Sequence, residues 1–436
     1  MEQILHYVWK HKMLPLRPLT TTAGLSVEVI DAGLRNTNAG PDFFNAKVKI
    51  DGTLWVGNVE IHDRAADWYA HGHDKDSRYD GVVLHVVGET GTATMTKSGR
   101  EVPQMRLDVP EDVLRNYREL LSEENYPPCH RIVPTLDRLT IHGWLTALQT
   151  ERLERKTEDI MRRVELCNGD WESALFVTMA RNYGFGVNGD AFEAWALNVP
   201  LQNAAHHRDD AFQIEALFMG QAGLLEPETI PERYRGDALR EEYFDRLRAE
   251  YRFLANKFGL KPVDAGMWRF LRLRPQNFPH IRISQLATLY CSRRSDLSRL
   301  VECADVDAMR RLLRTNVSPY WETHYTFGST SCKNAKCVSP SSLDLIIVNT
   351  AVPMLFAYGR HRRDERLCDR ALELLGSLRA ENNHIVRAWK QCGLTAENAG
   401  DTQALIQLKN EYCDKRDCLR CRIGYEFLKK LRGLRS

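Results

Sequence analysis

Two carboxylates and a histidine lie close together in Asn38–His62, NAGPDFFNAKVKIDGTLWVGNVEIH. Asp42 and Glu60 are oxygen ligands of the kind a hard divalent cation takes, and His62 is a group that moves protons near neutral pH. A turn at 38–41 delivers Asp42, and Phe44, Ala46, Val48 and Ile50 follow at strand spacing. Asp51-Gly52 between apolar runs signals a hairpin. The returning strand carries Trp55, Gly57, Val59 and Ile61 on one face and Asn58, Glu60 and His62 on the other. A two-residue turn pairs Ile50 with Thr53, hence Asp42 with Ile61, which sets Asp42 and Glu60 on opposite faces. A wider loop, or one bulge, brings Asp42 to Glu60's side. The register of this hairpin therefore decides whether the two acids meet.

A second cluster lies near the C-terminus. Cys413, Cys418 and Cys421 are separated by four and then two residues. Thiols this closely spaced point to zinc or an iron–sulfur cluster; a lone zinc, with bonds of about 2.3 Å, holds its sulfurs within about 4 Å of one another. A fourth ligand is required. Cys392 is the nearest, with Cys332, Cys337 and His324 behind it. Arg416, Arg420 and Arg422 flank the trio and are able to reach phosphate. The plainer reading is three unmetallated thiols. Cys129, Cys167, Cys291, Cys303 and Cys368 stand alone and read as core residues.

Two other stretches compete for attention. His71-Gly72-His73-Asp74, with Asp76 and His85, has the spacing of a separate zinc or manganese centre, although such short pairs arise often by chance in loops. Trp68 and Tyr69 precede it and read as core. Met267–Arg282 interleaves Arg269, Arg272, Arg274 and Arg282 with Trp268, Phe270 and Phe278, a composition suited to phosphate contacts and base stacking. A linker stiffened by Pro275 and Pro279 explains the same residues. A Walker lysine and a Gly-x-Ser-x-Gly elbow are both lacking.

The elements that must position these groups divide the chain. A helix over 1–13, a strand at 25–31, the hairpin 42–50 and 53–62, a short helix at 64–72 and a buried strand at 81–87 make a mixed unit ending near residue 110. Residues 92–96 and 101–109 add a β-ribbon, and a helix of about fifteen residues runs from Pro110. The stiff loop at 125–129 marks a boundary, and 128–436 reads as mainly helical. There, helices fit 136–166, 171–183, 191–197, 210–222, 236–258, 284–291, 304–313, 363–379 and 402–412. Leu343–Tyr358 is a long apolar segment kinked at Pro353. At 436 residues with 43% hydrophobic and 27% charged residues, the chain has material for two or three ordinary globular cores. A net charge of +2 demands no polyanionic partner, although 261–314 holds eleven Lys/Arg against five Asp/Glu and the C-terminus is basic. No run of about 18 apolar residues suggests a membrane span. Eleven cysteines with no secretory signal point to reduced thiols in the cytoplasm.

Pro41-Asp42, seventeen residues, then Glu60-Ile61-His62 resembles the PD-(D/E)xK nuclease signature, with histidine where lysine is usual. The order αβββαβ over the first quarter of the chain is similar to the core of the restriction-endonuclease-like fold. The resemblance thus implies an α+β protein: a nuclease-like domain at 1–110 and a large helical region at 128–436. It further implies that Asp42, Glu60 and the carbonyl of Ile61 hold Mg²⁺ or Mn²⁺, that His62 stands in the lysine position, and that Glu2 adds a further acid. Some nucleases of that superfamily also carry an iron–sulfur cluster, on a different cysteine spacing. Nearly the whole chain also resembles a bacterial family of unknown function marked by GPDF…GNVEIH and YC…CL.C.IG blocks. Two functions follow as expectations: a metal-dependent nuclease, or a nucleic-acid- or protein-binding protein that keeps the fold without the activity.

Overall fold

The computed structural model describes residues 2–15, 17–36 and 38–430. Met1 of the expected first helix and 431–436 of the basic C-terminus lie outside the described residues. The protein is a mixed α+β chain with an N-terminal sheet and a large helical region.

The sheet unit opens with helix α1 (Glu2–Lys10), whose inward face buries Leu5, Val8 and Trp9. Strands β1 (Leu19–Thr20), β2 (Ser26–Asp31), β3 (Leu34–Arg35), β4 (Phe43–Ile50) and β5 (Thr53–Arg64) follow. A one-turn helix α2 (Asp67–Ala70) and two 3₁₀ turns lead into β6 (Val82–Glu89). Short strands β7 (Thr94–Met95), β8 (Glu101–Val102) and β9 (Gln104–Arg106) precede helix α3 (Glu111–Ser122). The main sheet has the order β1-β2-β4-β5-β6-β9, with β3 also pairing β4. β5–β6 and β6–β9 are parallel; the other pairs in this sheet are antiparallel. The expected helix at 64–72 is shorter than its pattern suggested, because β5 continues to Arg64 and Asp67 accepts from the Arg64 N–H.

Asp51 and Gly52 both have positive φ (49° and 79°), as a tight two-residue hairpin turn requires, and Ile50 pairs with Thr53. That register holds as far as Ala46 opposite Gly57. It then shifts by one, so that Phe43 faces Val59. The extra residue is a bulge in β4, where Asn45 takes a left-handed φ of 55°. Burial parity changes with it: Phe43, Ala46, Val48 and Ile50 are buried, and Phe44, expected on that face, is only half-buried. Gly33 lies against the bulge so closely that a Cβ there would meet the Phe44 carbonyl oxygen at 2.5 Å.

The compact unit containing this sheet comprises 1–144, 387–395 and 406–436. The C-terminal cysteine segment, expected with the helical region, packs here instead. Helix Arg422–Lys430 lies on α3, and the Arg416 guanidinium donates to the carbonyls of Leu120 and Glu123 at 3.3 and 2.9 Å.

The second unit, 145–386 with 396–405, is helical. Asp170 caps Trp171–Tyr183 by accepting from the N–H groups of Glu172 and Ser173, and Asp210 caps Ala211–Gln221 in the same way. The expected helix 236–258 is two, Glu232–Ala238 and Glu242–Phe258. The apolar run 340–362 is one continuous helical rod, long and apolar enough to cross a membrane, but 72% of its most apolar window is buried in the protein. A π turn at Ile347–Ala351 absorbs the missing N–H, and the Asn349 carbonyl that Pro353 cannot satisfy accepts from the Asn182 amide at 2.9 Å.

Candidate metal centre

The bulge at Asn45 brings Asp42 across from Glu60. Each strand's backbone binds the other strand's carboxylate: the Asp42 N–H donates to Glu60 Oε2 at 3.0 Å, and the Ile61 N–H donates to Asp42 Oδ2 at 2.9 Å. Ile61 thus contributes an N–H here, where its carbonyl had been expected to serve. On the remaining oxygen of Glu60, Oε1, His73 Nε2 closes to 3.2 Å and His62 Nε2 to 3.5 Å. His73 Nε2 is buried and makes no hydrogen bond of proper geometry. His71 completes the group, its Nδ1 3.2 Å from His62 Nε2. Donor atoms of His62, His71 and His73 all lie within 4.8 Å of one another. The His71–His73 pair is therefore part of the Asp42–Glu60 cluster, and the separate centre expected there merges with it. Asp76 is not part of it, since its carboxylate caps Arg78 and pairs with that guanidinium.

Three more residues reach this site: His6 and Thr94, which the sequence did not single out, and His85, expected in the separate centre with His71 and His73. His6 on α1 sets its Nε2 3.4 Å from Asp42 Oδ2 and 3.9 Å from Glu2 Oε1. His85, in the middle of β6, places Nε2 2.9 Å from His62 Nδ1 and its Nδ1 2.9 Å from Thr94 Oγ1. The spacing Glu2-x-x-x-His6 on an amphipathic helix was a usable signal, while Thr94 left none. Trp68 and Tyr79 wall the cluster, with Tyr79 stacked on His73 at 3.8 Å between centroids.

Burial sets the charges. Glu60 is 5% exposed and His62 2%. Burial lifts the Glu60 carboxyl above its usual value, the Asp42 charge adds to this, and His73 and the Asp42 N–H offset it in part. For Asp42 burial acts upward too, but His6 and the Ile61 N–H outweigh it and the value is lowered. His62 is pushed down to about 4 by burial and by the neighbouring His73 and His71, and His85 to about 3 by burial and by His62 and His73. His6 moves the other way: burial opposes its charge, yet Asp42 and Glu2 raise it. At neutral pH His62 and His85 are uncharged, which is the state that binds metal.

The other expected ligand sets are placed differently. Cys392, expected as the fourth ligand of the cysteine trio, turns back on its own helix, its Sγ 3.3 Å from the Ala388 carbonyl. Among the described residues, His62, His71 and His73 are a set with all donor atoms within 4.8 Å of one another; Cys418 and Cys421 are buried and Cys413 is half-buried. Cys332 and Cys337 are exposed, and His324 stacks on Tyr320 within the helical unit. In the arginine segment, Arg269, Arg272 and Arg274 are exposed. Arg282 is buried, bonded to Gln285 and Asn277 at 2.8 and 2.6 Å and laid over Phe185, so it is a core residue and not part of a nucleic-acid surface. Trp268 is buried as well, its indole N–H donating to the Ala222 carbonyl.

Fold and site together define a mixed α+β protein with a buried, histidine-rich carboxylate centre on its N-terminal sheet. The chain belongs to the family described as a protein of unknown function, DUF2851, which matches residues 2–384. Comparison with the curated proteins finds no match, and neither does comparison with the solved structures. The cysteine trio lies beyond the matched residues.

Proposed function

We propose that this protein is a metal-dependent phosphodiesterase of nucleic acid, with its cation held by Glu60, the imidazoles of His62, His71 and His73, and Asp42 across the hairpin. The observation that carries this reading is the bulge at Asn45: it departs from the simple hairpin register, and the departure sets two carboxylates side by side. Such a pair raises a carboxyl pKa and is unfavourable without a cation. Three imidazoles shift the preference from Mg²⁺ towards Mn²⁺ or Zn²⁺, and the two carboxylates favour Mn²⁺. The order α1, β2, β4, β5, α2, β6 follows αβββαβ, which supports kinship with the restriction-endonuclease-like fold. The exposed guanidiniums of Arg269, Arg272 and Arg274 support a polyanionic substrate, and eleven free cysteines suit a reducing, cytoplasmic setting.

A bound cation would polarise a phosphate oxygen and acidify a water. The remaining work falls to the side chains. With a value near 4, His62 is a poor general base at pH 7 and serves better as a neutral ligand. When its Nδ1–H donates to His85 Nε2, and the His85 Nδ1–H donates to Thr94 Oγ1, His62 Nε2 keeps its lone pair for the cation. His6, whose proton is retained by Asp42 and Glu2, is the group suited to deliver a proton to a leaving oxygen.

The near-complete burial of Glu60 and His62 favours a second reading, a structural ion in a non-catalytic nucleic-acid- or protein-binding protein. A screen of single- and double-stranded DNA and RNA with Mn²⁺, Mg²⁺ and Zn²⁺ separates the two. Cleavage that depends on Mn²⁺ and disappears in Glu60→Gln supports the enzyme. Metal bound without cleavage of any substrate favours the second reading.

A further inference from the structure

Within the helical unit, separate stretches of chain converge on a cavity of about 520 Å³, the size of a small-molecule site. Helix Glu232–Ala238 supplies Arg233 and Tyr234, the arginine–proline segment supplies Phe270 and Phe278, helix Pro279–Cys291 supplies His280, and the loop at 325–331 supplies Tyr325 and Thr326. That loop is held closed. His324 bridges Thr330 across its neck. Gly328, at φ +71°, presses so close to helix Glu232–Ala238 that a Cβ there would collide with the Tyr234 carbonyl oxygen. The Gly328 N–H donates to Glu241 Oε2 at 3.3 Å. The walls are therefore fixed by contacts within the protein itself.

Two buried polar atoms belong to residues of this lining and lack a partner. His280 Nδ1 and Thr326 Oγ1 make no hydrogen bond among the described residues, although the two residues are only 5% and 7% exposed. Buried polar atoms are nearly always paired, and each one left unpaired is costly. Two of them on different elements around one cavity call for a polar partner that the chain does not supply.

The rest of the lining limits what that partner is. Tyr234, Phe270, Phe278 and Tyr325 are half-buried aromatic residues of the cavity wall. Arg233 is exposed, with its guanidinium 4.5 Å from the centroid of the Tyr234 ring, and no carboxylate lines the cavity among the described residues. A purely apolar ligand would leave His280 and Thr326 unpaired, and a cation would meet Arg233 with no acid to balance it. A flat ring with polar edges, joined to an anionic group, suits every part: aromatic walls stack on the ring, the buried polar atoms pair with its edges, and the guanidinium meets the anion. The segment that brings Phe270 and Phe278 also carries the exposed Arg269, Arg272 and Arg274, a run of charge along which a phosphate chain would lie.

We propose that this cavity binds a nucleotide, free or as an unpaired residue of a nucleic-acid strand, with the base among the four aromatic rings and the phosphate at Arg233. The inference shares no residue with the Asp42–Glu60 centre and stands whether or not that centre cleaves anything.

The test is equilibrium dialysis of AMP, GMP, CMP and UMP against the full-length protein in chelator, which keeps divalent ions out of the measurement. At least one nucleotide is expected to bind, and ribose 5-phosphate, which lacks a base, should compete at least about 10-fold more weakly. Thr326→Val keeps the side chain's shape and should bind that nucleotide about 3- to 10-fold more weakly, with its thermal midpoint unchanged or raised. Arg233→Ala, at an exposed position, should lose about 5-fold for the nucleotide and nothing for the matching nucleoside. Single-stranded DNA and RNA oligonucleotides separate the two sources: tighter binding that Arg274→Ala weakens marks a strand, and binding no tighter than the mononucleotide marks a free nucleotide. A wild type that binds none of the four at millimolar concentration overturns the proposal, as does ribose 5-phosphate competing as well as the nucleotides. Wild-type affinity in both Thr326→Val and Arg233→Ala overturns the assignment to this cavity.

Discussion

Gly33→Ala tests how the bulge is held. Gly33 has φ +84°, and an added Cβ would come within 2.5 Å of the Phe44 carbonyl oxygen and 2.9 Å of the Ala46 nitrogen, both backbone atoms of the bulge. The left-handed backbone alone costs an alanine about 1–2 kcal/mol. Relief of the overlap requires the bulge to retreat by about half an ångström, an overpacking cost of about 1–3 kcal/mol more. Gly24→Ala is the matched control: its φ is +81°, and nothing lies within 4 Å of the new Cβ. Hydrogen exchange of the β4 and β5 amides reads the local loss even where the two units unfold separately. Gly33→Ala should lower protection by about 2–5 kcal/mol against about 1–2 for the control. Since Asp42 follows from the bulge, Gly33→Ala should also weaken Mn²⁺ binding while Gly24→Ala leaves it unchanged. Equal losses in the two variants would refute the claim that Gly33 braces the register.

Two further outcomes concern the helical unit. Arg282→Ala leaves Gln285 and Asn277 without their charged partner and should cost about 2–4 kcal/mol in thermal or urea unfolding, whereas Arg272→Ala at an exposed site should stay within about 0.5 kcal/mol. His280 is fully enclosed by Phe270, Trp321 and Phe327, and burial lowers it to about 3. Its unfolded form takes up a proton first as pH falls, so the stability it allows is present above about 6.5 and drains away towards 3. Between pH 7 and pH 5 the loss should be about 2 kcal/mol, and His280→Phe should flatten that part of the stability–pH curve.

What the sequence made legible was local. Asp51-Gly52 marked the hairpin and the run Val82–Val87 marked a buried strand; each signal is complete within a few residues. The bulge was not legible, because Phe43 and Phe44 are equally apolar and periodicity cannot say which one faces inward. Only the left-handed Asn45, braced by Gly33, decides it. Arg282 was misjudged for a related reason: residue type reports chemistry or burial, and this side chain combines them. Packing of the last helix against α3, far from it in sequence, leaves no trace in spacing. The same packing explains why the C-terminal segment joined the sheet unit instead of the helical region.

Titration calorimetry of Mn²⁺ into chelator-treated protein probes the Asp42–Glu60 centre most directly. Wild type should bind Mn²⁺ more tightly than Mg²⁺. Glu60→Gln, which keeps an acceptor for the Asp42 N–H but removes the charge, should weaken binding at least about 100-fold, or about 2.7 kcal/mol. Wild-type protein that binds no divalent ion, or Glu60→Gln that binds Mn²⁺ as tightly as wild type, would contradict a metal centre at Asp42 and Glu60.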